Sequence, residues 1–148
     1  MDFFAILYSW LIRLYGDELN SFLYDTTEGM NYLIVGSVML IISFLLPLLY
    51  YKIIDKPNWN HWWCWLLVFL LNAFLNFWWG WQPVLQDFYN GSMDVKDLKT
   101  GQLVTLVTDT NCFMFGIATM ILGVISFCVF SFICHFFSTN CKYSPFTK

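Results

Sequence analysis

NHWWCWLLVFLLNAFLNFWWGWQP, residues 60–83, decides how this chain folds. Tryptophans cluster at both ends, the middle is aliphatic and aromatic, and no Asp, Glu, Lys or Arg interrupts it. Tryptophan favours a membrane–water interface, where its ring sits in the apolar layer and its N–H reaches water. Trp62 and Trp63 mark one interface, with Trp59 and Trp65 beside them; Trp78, Trp79 and Trp81 mark the other. A helix from Trp62 to Trp79 rises about 26 Å, close to the hydrocarbon thickness of a bilayer. The stretch therefore predicts a membrane-spanning helix over about residues 61–81.

The rest of the chain fits that environment. Of 148 residues, 59% are hydrophobic and only 11% charged. A soluble domain carries about 25% charged residues, so this chain has too few charges to cover a water-facing surface. Charge-free windows also cover residues 30–51 and 110–141. Each holds a run long enough for a helix to cross about 30 Å of hydrocarbon. The stretch LIVGSVMLIISFLLPLLYY shows none of the alternation of a barrel strand. The expected fold is an all-α integral membrane protein, one membrane domain over residues 1–148, with spans at about 31–51, 61–81 and 112–137. Pro47 predicts a kink near the end of the first.

Residues 3–15 are too short to span comfortably, at about 20 Å. Phe3, Phe4, Ile6, Leu7, Trp10, Leu11 and Leu14 give a broad apolar face, and Asp2, Ser9 and Arg13 a narrow polar stripe. The pattern predicts an amphipathic helix lying in the interface. The alternative is a fourth short span, with Arg13 inside a bundle or snorkelling. No small-residue cleavage site follows, so a removed signal peptide is not expected.

Lys52 and Lys56 follow the first span, and Lys142 and Lys148 lie in the tail. The excess of Lys on that side places residues 138–148 as a short cytoplasmic tail and residues 82–111 as an extracytoplasmic loop. A bacterial inner membrane is the expected location. In the loop, SMDVKDLKTGQ reads as a turn or short helix and LVTLVTDT as a strand or lead-in helix; Thr108, Asp109, Thr110 and Asn111 suit the cap of the third span. The scattered basic residues and net charge of -3 give no reason to expect nucleic acid as a partner.

Asn72 and Asn76 lie one turn apart near the middle of the second span. An amide there must face protein or water rather than acyl chains. Three arrangements satisfy this: hydrogen bonds between helices of one chain, a polar seam between copies, or the lining of a pore. Gly36 and Ser43 are seven residues apart, as are Gly116 and Gly123, with Thr119 and Ser126 at the same spacing, all suited to close helix packing.

His61, Cys64, Cys134, His135 and Cys141 lie at similar depth and form a weak metal-ligand pattern without zinc-finger spacing; ordinary packing is the expectation, with no metal or cofactor. Cys128 reads as a small apolar residue. No carboxylate lies inside a span, and no phosphate loop or HExxH motif is present, so catalysis is not expected. Chemistry through Cys134 and His135 is the weak exception. The leading expectation is a homo-oligomer that forms a pore or channel or perturbs the membrane, as a toxin does; the alternative is an anchor or assembly subunit of a larger envelope complex.

Overall fold

The computed structural model describes residues 3–25, 31–53, 61–96 and 103–137. It is an all-α membrane protein, with three helices long and apolar enough to cross a bilayer. They are α4 (Tyr32–Leu48), α5 (Trp62–Tyr89) and α6 (Asp109–His135). Three short helices precede them: α1 (Phe3–Ser9), α2 (Ile12–Tyr15) and α3 (Asp17–Asp25). A two-stranded antiparallel hairpin, β1 (Asp94–Lys96) and β2 (Leu103–Thr105), connects α5 to α6.

Local chemistry sets the helix boundaries. The Asn31 carboxamide oxygen accepts the Ile34 N–H at 3.0 Å and caps α4. Pro47 withholds the N–H that a continuous helix would give the Ser43 carbonyl. Two residues later the helix passes into a π-turn, Leu49–Ile53, which turns Tyr50 and Tyr51 inward, 3% and 2% exposed, and leaves Lys52 exposed. At the start of α6, the Thr108 carbonyl accepts the Asn111 and Cys112 N–H groups at 2.9 and 3.3 Å, and the Thr108 hydroxyl donates to Asn111 Oδ1 at 3.1 Å.

Two expected boundaries move. The helix expected to end at residue 81 runs through Pro83 to Tyr89. A membrane helix tolerates one missing N–H donor when the surrounding groups still pack. Residues 82–89 are therefore helix, and the connection to α6 is shorter than expected. Its strands pair Asp94 with Thr105, Val95 with Val104 and Lys96 with Leu103, and the Thr105 hydroxyl donates to Asp94 Oδ1. The DVK segment, expected as turn or helix, is thus a strand, and LVT takes the strand alternative.

The N-terminal region also departs from a single flat helix. It breaks at Trp10–Leu11 and again at Gly16, whose φ of 91° suits glycine. The expected apolar face is largely outward, with Phe3, Ile6, Trp10 and Leu14 exposed. Tyr8, Tyr15, Leu19 and Leu23 are buried instead.

The chain divides into two compact units. The first comprises Met1–Ser37 and Phe77–Thr119, the second Val38–Asn76 and Met120–Lys148. In the first unit Phe115 is the centre of an aromatic core, with the Tyr8 and Tyr15 rings each 5.2 Å from it and Tyr32 at 6.2 Å. In the second, Trp65, Phe69 and Phe127 form one ring cluster, and Tyr50 and Tyr51 pack with Cys64, Val68 and Cys134.

Candidate functional site, a buried amide network

Within the second unit, Asn72 and Asn76 are both 0% exposed. The Asn72 amide donates to the Gly123 carbonyl at 3.1 Å. The Asn76 amide donates to the Ser43 hydroxyl at 3.2 Å, to the Asn72 side-chain oxygen at 3.1 Å and to the Asn72 carbonyl at 3.0 Å. The Ser43 hydroxyl donates to the same Gly123 carbonyl at 3.1 Å. Three helices therefore converge on one backbone oxygen of α6.

Glycine makes that oxygen reachable. An ideal Cβ at position 123 would lie 2.5 Å from Asn76 Nδ2 and 2.6 Å from its Cγ. In hydrocarbon a bare amide has no alternative partner, so each such bond contributes about 0.6–2 kcal/mol. Asn76 Oδ1 nevertheless has no hydrogen-bond partner, one of two such buried atoms among the described residues; the other is Trp79 Nε1. Both amides face protein of the same chain, the first of the three arrangements open to them.

The small residues occupy close contacts inside the units. In the first unit, a Cβ on Gly36 would overlap the Phe4 ring, and one on Gly116 would lie 2.8 Å from Trp81 Cβ and 3.2 Å from the Phe77 carbonyl. Thr119 packs against Gly80, where an added Cβ would lie 2.5 Å from its hydroxyl. In the second, the Ser126 hydroxyl lies 3.8 Å from Met39 Sδ. Sequence spacing missed Gly80, which lies outside the seven-residue pattern.

A second polar chain, in the first unit, was not foreseen. The Tyr8 hydroxyl donates to Thr119 Oγ1 at 3.3 Å, and the Tyr15 hydroxyl donates to the Tyr8 carbonyl at 3.1 Å. The Tyr15 and Tyr32 hydroxyl oxygens lie 2.9 Å apart, and Tyr32 donates to Asn20 Oδ1 at 2.7 Å. Burial raises the Tyr8 and Tyr15 phenols above their ordinary range. The available signal was the seven-residue spacing of Tyr8 and Tyr15, which a continuous helix would set on one face. The second unit holds a comparable node at Ser131, whose hydroxyl accepts the Trp65 indole N–H at 2.9 Å and lies 3.1 Å from the Tyr51 hydroxyl.

The tryptophans divide by position. Trp62, Trp63 and Trp78 are about half exposed, whereas Trp79 and Trp81 are partly buried. Trp81 packs edge-on against Phe113, 5.8 Å between centroids. Of the His/Cys pattern, Cys64 and Cys134 pack on the Tyr50–Tyr51 pair, the His135 ring lies 6.0 Å from Tyr51, and His61 is exposed. Cys141 lies outside the described residues, as does the tail at 138–148. Among the described residues no three His, Cys, Asp or Glu side chains converge as metal ligands.

Comparison with family models, curated proteins and solved structures finds no match to this chain.

Proposed function

We propose that this chain is a non-catalytic, multi-pass membrane protein that acts as an anchor or assembly subunit of a larger membrane complex. One observation carries the choice: the amides at the middle of α5 are fully buried and hydrogen-bonded within their own chain. A pore needs polar groups facing water, and these two face Ser43 and Gly123. Outward, α5 offers Leu67, Leu70, Leu71 and Phe74, all about half exposed, at helical spacing. Such a stripe suits lipid or a neighbouring apolar helix. The hairpin and the short N-terminal helices give the complex its docking surface outside the spans. On this reading the connection after α4 and the C-terminal tail share one side, and their lysines favour the cytoplasmic one. An inner membrane of a bacterial cell is the matching location.

The competing reading is self-assembly into a pore, with the α5 stripe as the contact between copies. Two measurements separate the readings. The chain alone, reconstituted into dye-loaded vesicles, is expected to leave the dye trapped. Extracted from its native membrane in mild detergent, it is expected to run in a complex with a different protein. Dye release that disappears in Asn72→Leu, from a particle containing only this chain, would reverse the choice.

A further inference from the structure

In the second unit a cleft of about 470 Å³ opens between the end of α4 with its π-turn and the end of α6. Phe44, Leu48, Ile133 and Phe137 line it with apolar surface, and the buried Tyr51 and the exposed Lys52 line it too. Its volume is that of a small-molecule site. Phe44, Ile133 and Phe137 are 42%, 46% and 84% exposed, so the cleft opens outward from the helices. Outward, in a membrane protein, is toward lipid.

We infer that this cleft binds an anionic phospholipid, with an acyl chain along Phe44, Leu48 and Ile133 and the headgroup phosphate on the Lys52 ammonium. Two observations point to that occupant. Lys52 is the last residue of the apolar span Tyr32–Lys52, the depth at which acyl tails give way to headgroups. It is exposed, and among the described residues it makes no ion pair. A cation at the mouth of an apolar groove between spans matches a negative headgroup on an apolar tail. A partner helix in the same groove would cover the ammonium with apolar surface and leave its charge unpaired. A zwitterionic lipid carries its own cation, which competes with Lys52 for the phosphate.

The test titrates the detergent-extracted full chain with phosphatidylglycerol or phosphatidylcholine of identical acyl chains and reads bound lipid by native mass spectrometry. The parent is expected to retain phosphatidylglycerol in preference. Lys52→Gln is expected to weaken phosphatidylglycerol about fivefold, the contribution of one lysine near a headgroup, and to leave phosphatidylcholine unchanged. Lys52→Arg keeps the preference. Ile133→Trp fills the cleft and weakens both lipids, which tests the groove without touching the charge. Equal retention of the two lipids by the parent overturns the inference. So does unchanged phosphatidylglycerol binding in either Lys52→Gln or Ile133→Trp.

Discussion

The side-chain amide of Asn76 occupies the space that a Cβ on Gly123 would need, 2.5 Å from its Nδ2. The absence of one carbon on α6 lets α5 approach closely enough for Asn72 to reach the Gly123 carbonyl. Gly123→Ala is expected to cost about 1–3 kcal/mol, read as a lower unfolding temperature in detergent. In an Asn76→Ala background the same change should cost roughly 1 kcal/mol less, because the amide has gone and only the Cβ of residue 76, 2.9 Å away, still obstructs. Additive losses in the double variant would show that the two positions are not coupled.

Asn72→Leu removes the donation to Gly123 and the acceptor that Asn76 uses. The expected loss is about 1–3 kcal/mol, since the partners remain buried with fewer bonds. His135→Ala, at a partly buried ring near the end of α6, should cost less. Thermal unfolding of the two variants side by side ranks them, and the reverse order would contradict the network's role in stability.

Tyr32→Phe deletes the 2.7 Å bond to Asn20 and the 2.9 Å bond to Tyr15. The hydroxyl chain then loses its hold on residues 3–25. Hydrogen exchange across α1 to α3 is expected to quicken by the equivalent of about 1–3 kcal/mol, with α6 little changed. Exchange that rises equally in all helices would point to global loosening instead.

Alkaline pH should act through the same tyrosines. Burial raises the Tyr8 phenol above about 10, and burial with the nearby Asp17 carboxylate raises Tyr15, against hydrogen bonds that pull both the other way. A raised phenol holds its proton in the folded state at a pH where the unfolded chain has released it. This contribution is therefore complete below about pH 10 and shrinks as pH climbs past it. Unfolding temperatures measured from about pH 8 to about pH 12 should fall at the upper end, less steeply in Tyr8→Phe. An equally steep fall in that variant would assign the effect elsewhere.

The spans were legible because charge is absent from three long windows, and lipid leaves helices as the natural way to satisfy the backbone there. Asn72 and Asn76 were legible as groups that must face protein or water. Their acceptor was not: the Gly123 carbonyl carries no sequence label beyond a missing side chain, and glycine is common in membrane helices. The end expected near residue 81 came from the tryptophans and the hydrocarbon thickness, whereas α5 continues to Tyr89 with Val84 fully buried. At the N-terminus the aliphatic and aromatic face was expected to lie in the membrane interface, and the exposed side of a membrane protein is as apolar as its core. Hydropathy therefore could not show that Tyr8 and Tyr15 are the residues facing Phe115.

Tyr8 and Thr119 are 111 residues apart, yet one donates to the other. A ribosome making this chain releases Tyr8 long before Phe115 and Thr119 exist. The opening helices must therefore wait, with the Tyr8 hydroxyl unsatisfied, until the last long helix has been made. Biogenesis then closes backwards, the earliest segment settling last, and a chain stalled before α6 would present that unsettled segment to the cell's quality-control proteases.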